Sequence, residues 1–201
     1  MAFWTQGGAA GSADPKRQYR FIASFSGLGG DVQWMVKNID KPSVTLSETS
    51  HEYLNHTFYY PGRVSWNSIS CTLVDPVSPD ATATMMKAIN DAGYAPPATS
   101  DNLGTVSKSS AVSSLGTVLI QQLAGGPDIG GEGTLADSDI VEEWKLKNAW
   151  IKSVTLSGLD YSGDSLSEVT LELRYDFATL SKHGMNADGQ FAANTGLWDV
   201  S

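Results

Sequence analysis

The sequence predicts a mainly β protein: a sandwich or small barrel of antiparallel strands with one flanking α-helix and extended loops. Three observations predict it. Several runs alternate apolar and polar residues, Gly-rich or polar breaks separate them, and a single segment carries a clear helical period. The cleanest alternation is LSEVTLELRYDF, residues 166–177. Val169, Leu171, Leu173, Tyr175 and Phe177 fall on one side, and Glu168, Thr170, Glu172, Arg174 and Asp176 on the other. A strand of period two places these sets on opposite faces of a sheet.

The remaining elements follow in order. Residues 1–15 are rich in Gly and Ala and form an N-terminal arm carrying Phe3 and Trp4. In RQYRFIASFSG, Tyr19, Phe21, Ala23 and Phe25 alternate; GLGG breaks the run, and DVQWMVKNI reads as the second strand of a hairpin. KPSVTLSETSHEYLNHTFYYPGR has no helical period and reads as a strand followed by a long extended excursion. RVSWNSISCTLVD then sets Ile69, Cys71 and Leu73 against Trp66, Ser68, Ser70 and Thr72.

SPDATATMMKAINDAGY is the helix. Pro79 and Asp80 mark its start, Gly93 its end, and Thr82, Met85, Met86 and Ile89 share one face. A loop follows, then a short helical turn around 111–115 and a strand at 117–123. GGPDIGGEG is a turn, and IVEEWKLKNAWIKSVTLSGLDYSGDSLSEVTLELRYDFATL reads as three strands. The β domain thus covers residues 16–180, with a polar C-terminal extension at 181–201.

Composition excludes several functions. The net charge of −9 and pI of 4.6 argue against a protein that grips nucleic acid through clustered Lys and Arg. Cys71 is alone, which rules out an intrachain disulfide framework, and its place in SISCTLV suits a small core residue. The first residues lack the basic start and apolar run of a secretory signal. No stretch approaches the roughly 18 apolar residues of a membrane span, so no membrane anchor is expected and synthesis is expected in a cytoplasm.

The motifs that mimic active sites fail on inspection. GGPDIGGEG lacks the Lys-Ser/Thr of a phosphate loop, and HEYLNH has its second His one position late for a zinc-protease helix. SDN at residues 100–102 has no S-x-x-K or K-T-G companion, and ADSDIVEEW lacks calcium-loop spacing. Nothing marks the three His as members of a nucleophilic triad. The expectation is a protein without catalytic residues, cofactor or metal.

Two stretches resemble the tail tube proteins of contractile-tailed bacteriophages, which are related to the tube proteins of contractile injection systems. The first is YYPGRVSWNSISCTLVD, in which Tyr60, Pro61, Gly62 and Arg63 match a bend leading into a strand at 64–74, followed by the short helix. The second is VEEWKLKNAWIKSVTLSGLDYSGDSLSEVTLELRYDF, with Trp150, Val154, Leu156, the turn Leu159-Asp160-Tyr161, Glu168 and the closing Tyr175-Asp176. The N-terminal arm, the loop at 95–110 and the extension past Leu180 depart from that pattern and leave open whether a main tube subunit or a baseplate tube initiator is at hand.

The resemblance implies a virion tail subunit that performs no chemistry. It implies stacked hexameric rings, a contractile sheath around them, a tape-measure protein in the lumen, and baseplate and terminator proteins at the ends. DNA would pass through an acidic bore without specific binding. Two sets of residues become candidates under this reading. The face Glu168, Thr170, Glu172, Arg174 and Asp176 would line the lumen or an inter-subunit seam, and His51, Tyr53, His56, Phe58, Tyr59, Tyr60 and Arg63 would form a ring-stacking loop. A β-sandwich adhesin or carbohydrate-binding module is the alternative, with Trp34, Trp66 and Trp150 as its binding platform.

Overall fold

The computed structural model describes residues 16–97, 104–125, 139–182 and 195–197. Two sheets face each other across one core. The first has the order β1 (Phe21–Phe25), β6 (Val118–Leu123), β7 (Ile140–Lys147), β10 (Phe177–Lys182) and β11 (Thr195–Leu197). The second has the order β2 (Val36–Ile39), β5 (Ile69–Val74), β9 (Glu168–Arg174) and β8 (Trp150–Leu156). A third, two-stranded ribbon pairs β3 (Val44–Tyr53) with β4 (His56–Trp66). All these pairings are antiparallel.

Alternation drives this arrangement. In β5, Ile69, Cys71 and Leu73 are buried; in β9, Val169, Leu171 and Leu173 are buried; and each faces the other in register. Opposite them, Ala23, Phe25, Val118, Ile120 and Leu146 point inward from the five-stranded sheet. Each such side chain contributes on the order of 1.5–3 kcal/mol by leaving water. Cys71 lies in this core as its context predicted, and burial, followed by the nearby charge of Asp40, pushes its thiol up to about 12.

Several sequence expectations need correction. β1 does not form a hairpin with DVQWMVKNI. It pairs with β6, and Gly30–Met35 is a 3-10 helix. Val32 and Met35, three residues apart, are both buried while Gln33 and Trp34 face out, which is the three-per-turn period rather than a strand's. The excursion after β3 is a second strand, and the hairpin turns at Leu54-Asn55 with Leu54 at φ 56°. Leucine is uncommon at such a φ, so Asn55 was the one turn-favouring residue in the pair.

The strand expected over 64–74 is interrupted at Asn67-Ser68, where the chain leaves the ribbon and enters the sandwich. Asn67 fixes the junction: its amide donates to the Ser43 carbonyl at 3.0 Å, and its side chain bonds Ser43 and Thr45. The stretch from Ile140 holds four strands rather than three. β9 ends at Arg174, so Tyr175 and Asp176 form a corner and Phe177 opens β10 in the other sheet.

The helix α1 (Ala81–Asp91) starts at Asp80, whose carboxylate accepts from the Ala83 amide at 2.8 Å, and it ends before Gly93 at φ 110°. Its inner face is Ala81, Met85 and Ala88, not the expected Thr82–Met85–Met86–Ile89 face, and Met86 is exposed. A second helix, α2 (Lys108–Leu115), begins three residues before the expected turn because Ser107 caps it. It packs with α1 beside β8. The arm at 1–15, the Gly-rich turn at 126–138, the SDN motif and most of the extension past residue 182 lie outside the described residues.

Leu171→Ala is expected to lower unfolding free energy by about 2–5 kcal/mol, because Leu171 is fully buried in the centre of the core. Leu159→Ala, at a solvent-exposed position, is expected to change it by less than about 0.5 kcal/mol. Urea denaturation of both variants checks the contrast.

Candidate assembly surfaces

The outer face of β9 carries the first candidate set. β9 lies between β5 and β8, so Glu168, Thr170 and Glu172 sit in the middle of a wide polar surface. Lys37 Nζ donates to Glu168 Oε1 at 2.5 Å. Glu172 accepts from Lys152 Nζ at 2.6 Å and Ser68 Oγ at 2.7 Å, and these bonds hold its carboxyl below the usual carboxylate range. Thr170 faces Thr72 across the strand pair, hydroxyl to hydroxyl at 3.5 Å.

Arg174 ends that face and Asp176 leaves it. Arg174 closes β9 opposite Trp150. Asp176 lies in the corner between the sheets, where it accepts from both amino and amide donors: Lys108 Nζ at 2.7 and 2.8 Å, and Asn148 Nδ2 at 2.8 Å. The Lys108 ammonium, then Asn148, hold its carboxyl low. Its own amide donates to the Lys147 carbonyl, so one residue ties the β7–β8 and β9–β10 crossovers to the start of α2. The expected surplus of negative charge is therefore not what this surface presents. Glu168, Glu172 and Asp176 each bind a lysine of their own chain.

The second candidate set lies together on the β3–β4 ribbon. Every residue of β3 is exposed, and β4 is exposed apart from half-buried Thr57 and Trp66. His51 pairs with Phe58, Thr49 with Tyr60, Ser50 with Tyr59, and Tyr53 with His56. The rings of His56 and Phe58 meet edge to face at 4.6 Å. Tyr59 keeps 67% of its surface in solvent, and Tyr53 and Tyr60 are also exposed. These aromatics therefore do not cap the subunit's own core. Arg63 is part of a bulge: its amide donates to Ser47 Oγ at 2.8 Å where two β4 residues, Gly62 and Arg63, oppose Ser47. A Cβ on Gly62 would come within 2.4 Å of that hydroxyl and 3.1 Å of the Ser47 carbonyl, so a larger residue there would displace the Ser47 side chain from its bond to Arg63.

The three tryptophans of the binder alternative are not gathered. Trp66 packs against the core and Tyr175, with ring centroids 5.9 Å apart, while Trp34 is exposed on the 3-10 helix. Trp66 and Trp150 border an open hollow of about 610 Å³ with Arg174, Lys108 and Asp176. Among the described residues no group of three or more His, Cys, Asp or Glu is placed to hold a metal ion, and no helix is long and apolar enough to cross a membrane.

One charged site escaped the sequence reading. Glu142 points into the sandwich from β7 and accepts hydrogen bonds from Lys16, from Lys41 Nζ at 2.8 Å and from Trp144 Nε1 at 2.6 Å. Lys41 also donates to Gln122 Oε1 at 2.6 Å. Burial opposes ionisation of Glu142, but the bonds from Lys16, Lys41 and Trp144 outweigh it and bring the carboxyl to about 2. The signal was present in IVEEWKLK, where Glu142 occupies an inward position between Ile140 and Trp144.

Sequence comparison matches no protein-family model and no curated protein. Solved structures do match in fold. A chain of the anti-feeding prophage tube-terminating cap superposes with a TM-score of 0.57 at 19% identity, covering 84% of this chain and 92% of its own. A chain of the sheath–tube complex of PVC, an extracellular contractile injection system, gives 0.57 at 16% identity, with 85% and 93% covered. A chain of the anti-feeding prophage baseplate gives 0.52 at 15% identity, with 84% and 96% covered.

Glu142→Gln is expected to cost about 1.5–3 kcal/mol of stability at neutral pH, the range for hydrogen bonds to a charged group. Because the folded carboxyl is depressed to about 2, its contribution is present above the ordinary carboxylate range and is lost as pH falls toward 2. Thermal melts between pH 7 and 2 should show the variant losing less stability on acidification than the parent. The fold that supports these surfaces is that of tube and tube-capping proteins of contractile injection systems.

Proposed function

We propose that the chain is a structural subunit of the tube of a contractile tail or injection device, built from stacked hexameric rings. The observation that carries this reading is the β3–β4 ribbon. Its strands are ten and eleven residues long, and exposed aromatic side chains stand on both of its faces. A two-stranded ribbon without a core is marginal in water, and Tyr and Phe in such numbers mark a contact surface. The edges of the sandwich add to the case, since closure into a ring is one way a protein removes unpaired strand edges.

The outer face of β9 suits a bore. It is rich in hydroxyls, and its two lysines, Lys37 and Lys152, are already bound to Glu168 and Glu172. A polyanion gains affinity where it can displace counterions onto available Lys and Arg. A wall whose lysines are paired, with Arg174 at its edge, gives DNA little to bind over most of its area, so non-stick passage follows from charge balance rather than from a negative surplus. Sheath, tape-measure, baseplate and terminator proteins are the partners of this reading, and the tail of a virion is its location. A tube-initiating or capping subunit is the second reading, favoured by the resemblance to cap and baseplate chains.

Purified protein is expected to form rings or stacked tubes by negative-stain electron microscopy; a strict monomer at every concentration contradicts the proposal. Deleting residues 50–58, the ribbon's tip, is expected to abolish stacking while far-ultraviolet circular dichroism stays β-rich. Undisturbed tubes after that deletion would remove the ribbon from the account.

A further inference from the structure

One carboxylate on β7 holds two segments that lie far apart in sequence. Glu142 Oε2 accepts from Lys16, which precedes β1, and Oε1 accepts from Lys41 Nζ at 2.8 Å and Trp144 Nε1 at 2.6 Å. Gln122, its cross-strand neighbour on β6, closes the other side: its Oε1 accepts from Lys41 Nζ at 2.6 Å, and its Nε2 donates to the Arg17 carbonyl at 3.2 Å. The bonds form a ring, from Lys16 to Glu142, Lys41, Gln122 and back to Arg17. Glu142 and Gln122 are buried, while both lysine side chains are nearly half exposed.

The two segments lead to different parts of the molecule. Lys16 and Arg17 run into β1, and the Arg20 amide bonds back to the Arg17 carbonyl at 3.3 Å. Lys41 lies on the short link between β2 and β3, from which the ribbon grows. That link is held at Asp40, whose amide donates to the Ser70 carbonyl at 2.9 Å, and at Ser43, whose carbonyl accepts from the Asn67 amide at 3.0 Å. Beside the ring a hollow of about 1100 Å³ opens, lined by Tyr19, Ile39, Ile120 and Trp144 with the two lysines. The segments have room to separate, and the bonds to Glu142 and Gln122 hold them together.

Charge decides how that hold works. Two ammonium groups that meet the two oxygens of one carboxylate are each attracted to it and repelled by the other. With the carboxylate ionised, attraction wins at hydrogen-bond distance. Without its charge only repulsion remains, at a partly buried place where salt screens little. We propose that Glu142 is a positioning residue, the common counterion that couples the segment entering β1 to the root of the ribbon. Residues 1–15 lead into the first segment and the ribbon leaves the second, so one carboxylate fixes where the chain enters the sandwich and where the ribbon departs from it. The coupling belongs to the single subunit and is independent of any assembly.

Amide hydrogen exchange of the full chain tests it, read at Arg20 for one segment, at Asp40 and Asn67 for the other, and at Leu171 for the core. Glu142→Gln keeps the shape and removes the charge. It is expected to speed exchange at Arg20, Asp40 and Asn67 by about tenfold and to leave Leu171 unchanged. Adding Lys16→Met to Glu142→Gln is expected to restore slow exchange at Asp40 and Asn67, because Lys41 then meets neutral acceptors and no second ammonium. Lys16→Met alone should leave Asp40 and Asn67 as slow as in the parent. A structural prop without the shared charge would show no such rescue. The coupling is overturned if Lys16→Met fails to rescue, if only one segment responds to Glu142→Gln, or if exchange quickens uniformly through Leu171. Should Glu142→Gln fail to fold, adding Lys16→Met is expected to restore folding, and failure of that double variant as well overturns the coupling.

Discussion

The inner stripe of β9 sets where everything else points. Val169, Leu171 and Leu173 are fully buried against the opposite sheet and stand in register with Leu73, Cys71 and Ile69 of β5. With that side fixed, period two leaves Glu168, Thr170 and Glu172 no choice but the outer surface. The same stripe runs on to Tyr175, which places the corner at Asp176 where two crossovers and α2 are tied together. A one-residue slip would bury two glutamates and expose three core side chains, so the register is strongly specified.

The ribbon is the opposite case. β3 and β4 pair along nearly their whole length, yet among the described residues no sheet covers either face. Their backbone hydrogen bonds exchange with water at little net gain, and their aromatics leave water only when another surface arrives. The sandwich has a core of its own, whereas the ribbon's aromatic side chains stand in solvent. The Gly62–Ser47 bulge lies within that ribbon, and Asn67 joins it to the sandwich. Electrostatics plays a quieter role: the carboxylates of the outer face and the corner are matched by lysines within the chain, and the buried Glu142 cluster fastens the segments around Lys16 and Lys41 onto β7.

Much of the fold was legible because burial imposes a period that composition repeats. β5, β6, β9 and α1 stand where alternation, helical spacing and caps placed them. What was not legible depended on partners distant in sequence. Nothing near β1 announces that it pairs with β6 nearly a hundred residues on, and a leucine at φ 56° conceals the hairpin turn. The candidate residues divide the same way. Alternation assigned Glu168 and Glu172 to one face, but their lysine partners come from β2 and β8, which local pattern does not reveal. Glu142 was legible as an acid in an inward register, though not the two lysines that make its burial tolerable.

The central proposal is that another copy of the chain covers the ribbon. Amide hydrogen exchange over residues 44–66 tests it most directly, followed in dilute subunits and in assembled material. The account predicts fast exchange across β3 and β4 in the dilute subunit, slow exchange after assembly, and β5 and β9 slow in both. Ribbon amides equally protected in the dilute monomer, with no change on concentration, would contradict it.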